Sequence, residues 1–182
     1  MKLSTTVIAF ITLLFCSCNG QSSKGGEPTN KEPEENNASL SLDDDNGKTG
    51  NFKVDGKDFS GKVTTQHFGD KEKGNFSVLC QEDGEKSNFA LLQITFVTES
   101  DARGKRELKL HDSPMLPMTD PVPGIVAVGL TGFGEKFGDK EYSGTSKSSG
   151  TINVSNNTIS LKNLKIYNQD TKEVTVDAEI PF

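Results

Sequence analysis

From residue 51 onwards, apolar and polar positions mostly alternate with a period of two. That is the pattern of half-buried strands. Phe52 and Val54 flank Lys53, and Asp55-Gly56 follows as a two-residue hairpin signal. Phe59 and Val63 belong to the returning arm. Residues 75–81 place Phe76, Val78 and Cys80 on one face. Residues 88–98 are the most apolar stretch, with Phe89, Leu91 and Val97 on one side and Ala90, Leu92, Ile94 and Phe96 on the other. Apolar residues on both faces predict a central strand. Residues 106–110 set Leu108 and Leu110 among charges, as an exposed or edge strand would. Residues 125–130 are a further strand. The last third reads as a meander: strands over 151–155, 158–167 and 173–180, with turns at Asn156-Asn157 and 168–170. Ile159 and Leu161 share a parity that Leu164 and Ile166 do not, which places a β-bulge at Lys162-Asn163. Val174, Val176, Ala178 and Ile180 form an inward row. No segment carries a long helical period. The fold class is all-β, an antiparallel sandwich or small barrel of roughly seven to nine strands.

Two stretches break the alternation. In residues 111–124, Pro114, Pro117, Pro121 and Pro123 exclude a regular ladder. Met115, Leu116 and Met118 either cap the open end of the core, the commoner use of such side chains, or form an adaptable contact surface. In residues 132–150, five glycines punctuate a polar run around Phe133, Phe137 and Tyr142. Binding residues often sit on loops held by a rigid sheet. These two loops are therefore the candidate binding surface, with His111, Asp112, Met115, Leu116, Met118, Phe133 and Phe137 as candidate residues.

The first fifty residues are organised differently. Lys2 precedes an apolar run over 7–15 that only Thr12 interrupts. The run is shorter than the ~20 residues a membrane-spanning helix needs and matches a signal-peptide core. Small Ser17 then precedes Cys18. The stretch Leu13-Leu14-Phe15-Cys16-Ser17-Cys18 resembles the lipobox of bacterial lipoproteins. That resemblance implies cleavage before Cys18, a diacylated thiol there, and a location in the bacterial cell envelope. The expected layout is a signal peptide over 1–17, a lipidated cysteine and acidic linker over 18–50, and a β domain over 51–182. Residues 19–50 carry few apolar side chains, too few to offset chain entropy, so a disordered tether is expected.

Charge and motif content narrow the function classes. The chain carries a net charge of −6 and has no basic cluster, which argues against nucleic acid and against electrostatic docking on anionic lipid. The lipid is the expected membrane contact. With Cys16 removed and Cys18 acylated, Cys80 stands alone and reads as a small buried residue. Gly47-Lys48-Thr49 is not a phosphate-binding loop, because Leu42 occupies the first glycine position. Asp43-Asp44-Asp45 with Gly47 is not a calcium loop, because Leu42 and Lys53 fall on its first and last ligand positions. Gly132-Phe133-Gly134 lacks the third glycine of a dinucleotide fingerprint, since position 137 is Phe137. His67 and His111 are the chain's two histidines, both in loop-like settings and in no metal-ligand spacing. His111-Asp112 is the least unlikely polar site. No cofactor or metal is expected, and no catalytic motif is present.

The segment Asn51-Phe52-Lys53-Val54-Asp55-Gly56-Lys57-Asp58-Phe59, with Ser149-Gly150-Thr151-Ile152 and a two-strand finish, resembles a group of uncharacterised small bacterial lipoproteins. The resemblance implies a signal, a polar spacer and one β domain, with no catalytic residues to carry over. The final row ending in Phe182 also resembles the last strand of outer-membrane barrels. Pro181, the absence of Trp and the scarcity of Tyr favour a soluble terminal strand instead. The leading reading is a non-catalytic, lipid-anchored binding module whose partner is a protein or polysaccharide, with a filled core. The alternative is a carrier of a small apolar ligand, with a cavity lined by residues such as Phe76, Leu91, Leu161 and Val176. A hydrolase is the third reading and requires a cleft of convergent ionisable groups.

Overall fold

The alternating stretches become hydrogen-bonded ladders. The computed structural model describes residues 40–43, 47–69, 72–82, 89–117, 122–132, 138 and 140–182. They fall within a compact unit spanning residues 36–182. Among them are eleven strands: β1 (Leu40–Asp43), β2 (Thr49–Val54), β3 (Lys57–Phe68), β4 (Asn75–Glu82), β5 (Ala90–Phe96), β6 (Arg106–Leu110), β7 (Ile125–Gly132), β8 (Lys140–Ser143), β9 (Ser149–Ser155), β10 (Thr158–Tyr167) and β11 (Glu173–Pro181). One short helix, α1 (Glu99–Arg103), lies between β5 and β6.

The strands run β3-β2-β11-β10-β9-β6-β7-β5-β4 and return to β3, so nine of them close into a barrel. Closure depends on β3, the longest strand. One of its edges pairs with β2 over residues 57–62 and with β1 over residues 65–68. Its other edge pairs with β4 along eight residues. Gly61 sits where this closing ladder is tightest. A Cβ there would run into the Gln81 carbonyl and the Glu82 Cα. All ladders are antiparallel except β6 with β7, which meet over Lys109–Ile125 and Leu110–Val126 alone. β8 fills the other stretch of that seam, pairing with β7 over four residues and with β10 through Ser143–Tyr167.

Local chemistry sets the turns. Asp55 and Gly56 both take positive φ, as do Asn156 and Asn157, which is the backbone of a type I′ hairpin turn. Asn163 also takes positive φ, and the β10–β11 register shifts between Leu161 and Leu164. The bulge expected at Lys162-Asn163 is therefore present, and it returns Leu164 and Ile166 to the inner face. Phe52, Phe59, Val78, Leu92, Ile94, Ile159, Leu161 and Val176 belong to one continuous buried cluster. Cys80 is fully buried in the same cluster, beside Gly50, and its thiol donates to the Gly61 carbonyl at 3.7 Å.

One end of the barrel is stopped by α1. Thr98 caps the helix by accepting the Asp101 backbone N–H at 3.2 Å. Ala102 is fully buried, and Asp101 pairs with Arg106 at 2.7 Å. Beside it, the rings of Phe76, Phe96 and Phe182 pack at centroid distances of 6.1 to 6.5 Å. Arg103 lies over Phe182 at 5.7 Å. His67, only 3% exposed, packs on Phe76 and bonds Glu99 through Nε2 at 3.1 Å. Burial pushes the Glu99 carboxyl up, but hydrogen bonds from Arg103 and His67, with their charge, outweigh it and hold the group below the ordinary range.

Several features depart from the reading of the sequence. The described ladders begin before residue 51, with β1 at Leu40 and β2 at Thr49. The Leu-Ser-Leu-Asp run is a short alternation that low apolar content conceals. Residues 106–110 are not an edge strand: β6 lies between β9 and β7. Glu107 and Lys109 face outward, Arg106 reaches Asp101 of α1 and Leu108 is buried; one buried apolar residue with two flanking ladders suffices for a short internal strand. His67 lies in β3, not in a loop. Leu91 is half-buried on the face of β5 opposite to buried Leu92, so it does not share the interior with Phe76, Leu161 and Val176.

Two outcomes test this account. Gly61→Ala will destabilise the barrel by about 1–3 kcal/mol through overpacking. Gly129→Ala, where an added Cβ meets nothing within 4 Å, will shift stability by less than about 0.5 kcal/mol. Urea denaturation of both variants checks the contrast. The lowered Glu99 pKa means that its stabilising contribution is present above the unfolded value of about 4.3 and is lost as pH falls through the lower folded value. Glu99→Gln will therefore be less stable than the parent at neutral pH. The gap will close in acid, below about pH 4. Urea midpoints compared at neutral and acid pH decide it, and a gap of constant size counts against the assignment.

Candidate functional site

The proline loop lies along the outer wall of the barrel. Leu116 is 4% exposed and packs with Val97 and Ala127, and Ile125 lies against them. These are outward residues of the segment just after β5 and of β7. Leu116 therefore anchors the loop to the wall, whereas Met115 next to it is 74% exposed. Neither caps the open end of the core as expected: Leu116 seats the loop on the outer wall, in a cluster separate from the core, and Met115 stands in solvent. The His111 backbone N–H donates to the Val126 carbonyl at 2.7 Å, which fixes the start of the loop. Its ring lies 3.7 Å from the Asp112 carboxylate, and both side chains are partly or largely exposed. No other side chain bonds the His111 ring among the described residues. Cys18, Met118, Phe133 and Phe137 lie outside the described residues.

Beneath the loop runs a groove of about 610 Å³. Outward-facing residues of three neighbouring strands make its floor: Gln93 and Thr95 from β5, Gly129 and Thr131 from β7, and Glu141 and Ser143 from β8. Alternation along each strand puts them there, because their neighbours Leu92, Ile94, Val128 and Leu130 face the core. Asp112, Ser113, Pro114 and Met115 form one wall. Tyr142, Tyr167, Asn168 and Gln169 lie among the remaining lining residues.

Hydrogen bonds across the outer face hold the floor in place. Ser77 and Thr95 share a buried hydrogen bond of 2.7 Å, and the Gln93 amide donates to Thr95 at 3.2 Å and to Ser77 at 3.4 Å. At Gly129 there is no side chain and open space above the backbone. The Tyr167 hydroxyl donates to Glu173 at 2.6 Å, which fixes the ring. Lys165 and Tyr167, both bonded to Glu173, hold that carboxyl below its ordinary range. Burial raises the Tyr142 phenol, with Asp55 and Asp170 acting in the same direction, so Tyr142 is a neutral hydrogen-bonding group at neutral pH. Asp112 and Glu141 are the only charged lining residues among those described.

A second cleft of about 750 Å³ adjoins the groove and shares Asp112 and Thr145 with it. It opens where β6, β9 and the segment after β8 diverge, and it includes Glu107, Lys109, His111, Ser148 and Gly150. Gly144 packs here against the His111 carbonyl and Leu110, leaving no room for a Cβ. Among the described residues, no three His, Cys, Asp or Glu side chains gather as a metal site. The described residues contain no helix long and apolar enough to cross a membrane, which says nothing of spanning by strands.

The sequence reading identified the proline loop, His111, Asp112 and Met115, and the groove brings the last two together. It missed β8 and the floor. Gln93 and Thr95 were masked by the apolar richness of β5, and Glu141 and Ser143 by the surrounding glycines. The usable signal was the alternation Lys140-Glu141-Tyr142-Ser143. Comparison with protein-family models, with curated proteins and with solved structures finds no match to this chain.

Proposed function

We propose that this protein is a non-catalytic binding module of the bacterial cell envelope, tethered by a lipid on Cys18, with the wall groove as its binding surface. The observation that carries the reading is the groove itself. It presents hydroxyl, amide and carboxylate groups over an open glycine, on a floor fixed by the Ser77–Thr95–Gln93 network. Glu141, Gln169 and Thr131 have no side-chain hydrogen bond or ion pair among the described residues, so their polar groups face solvent or a ligand. Among the described residues two acids and no base line the groove, a balance that disfavours anionic partners. A neutral polar chain such as a polysaccharide fits these groups best. Spread hydrogen bonding together with tyrosine surface is the chemistry such a partner needs.

The tether rests on the sequence: the apolar run, Ser17-Cys18 and the acidic stretch beyond them. The carrier reading draws less support, because Phe76, Leu161 and Val176 are each at most 1% exposed within a continuous packed cluster. For catalysis, the His111 ring has Asp112, at 3.7 Å, as its one polar side-chain partner among the described residues.

The anchor and the groove are tested separately. Cys18→Ser will move the protein from the membrane to the soluble fraction; persistence in the membrane would sink the anchor. Gly129→Trp will fill the floor of the groove with little loss of stability. Its retention of envelope polysaccharide on the immobilised barrel will fall at least about tenfold, equivalent to about 1.4 kcal/mol. Unchanged retention would place binding elsewhere.

A further inference from the structure

The end of the barrel opposite α1 is a shallow cup of about 200 Å³. Its floor is apolar: Phe59, Ala90, Leu130 and Val174, which are buried core residues at the ends of β3, β5, β7 and β11. Half-buried Val54 and Tyr142 pack against that core and continue the apolar surface towards the rim. Three cations stand around it: Lys57, Lys140 and Lys172. Asp55 is the one acid among the described lining residues, and its carboxylate accepts the Thr175 backbone N–H at 2.8 Å. Lys140 and Lys172 are exposed and have no ion-pair partner among the described residues. The Lys57 ammonium lies 5.5 Å above the Phe59 ring.

Among the described residues the cup lining holds three lysines and one acid, the reverse of the balance of the chain as a whole, which carries −6. A cationic rim over a small apolar floor is complementary to an amphiphile with an anionic head and a short tail. The volume limits the tail. At roughly 30 Å³ per water-sized group, about 200 Å³ holds some seven such groups. We propose that the cup binds a medium-chain acyl carboxylate, its tail against Phe59, Leu130 and Val174 and its carboxylate at Lys140 and Lys172. The cup and the polar groove share one described lining residue, Tyr142.

Residues 36–182 contain every described ladder and the whole buried core, so the barrel serves as the test object. Octanoate and 1-octanol are titrated into it by calorimetry, with methyl resonances of Val54, Leu130 and Val174 recorded alongside. Octanoate is expected to bind and shift those resonances, with 1-octanol at least about tenfold weaker. In the double variant Lys140→Glu/Lys172→Glu, octanoate affinity will fall by about tenfold or more, while the weak octanol binding stays unchanged. Both lysines are exposed, so circular dichroism of the variant should match the parent. The proposal is overturned if octanoate shows no binding at millimolar concentration, if the alcohol binds as well as the acid, if the charge reversal has no effect, or if the shifts fall in the wall groove instead.

Discussion

The backbone contact between Gly61 and Gln81 is the constraint on which the architecture rests. An open sheet of these strands would leave β3 and β4 with unpaired edges, a standing invitation to pair with other chains. The closing ladder removes both edges at once. It runs through a point so tight that only glycine fits. Once the ring is closed, each strand has an inner and an outer side, and alternation assigns every residue to one of them. The filled core, the wall groove and the end cup all follow from that assignment.

The barrel is chemically asymmetric. At one end, a five-residue helix, three phenylalanines and the His67–Glu99–Arg103 cluster seal the core. At the other, the core ends in an apolar cup ringed by lysines. On the wall, the Ser77–Thr95–Gln93 network takes up polarity that the covered face of β5 could not otherwise tolerate. Thr95 is buried only because its hydroxyl is satisfied there. The same network leaves the remaining polar groups of the floor oriented outward.

Legibility in the sequence followed the range of the forces involved. The Asp55-Gly56 and Asn156-Asn157 turns, the bulge at Lys162-Asn163 and the inward row from Val174 to Ile180 depend on neighbours in the chain, and all could be read directly. Ring closure could not, because Gly61 looks like any strand glycine until the β4 backbone at Gln81 and Glu82 lies against it. Sandwich and barrel therefore stayed indistinguishable. The groove was half legible: prolines announce the loop carrying Asp112 and Met115, but its floor comes from alternate residues of three strands that only the fold makes adjacent. Leu116 and Met115, identical in kind to a reader of sequence, part company because one reaches the Val97–Ala127 surface.

The seam between β7 and β10 carries a further consequence. Here the ring is held by a two-residue parallel contact through β6 and by the four-residue strand β8, which reaches β10 at a single residue pair. The β3–β4 ladder, by contrast, runs through eight consecutive pairs. Sub-global opening starts where the fewest ladder bonds must break, so the barrel breathes along this line. The wall groove draws residues from β7, β8 and the end of β10. A ligand seated in it spans the weak line like a clasp, and by linkage whatever holds the clasp shut also slows the opening of the ring.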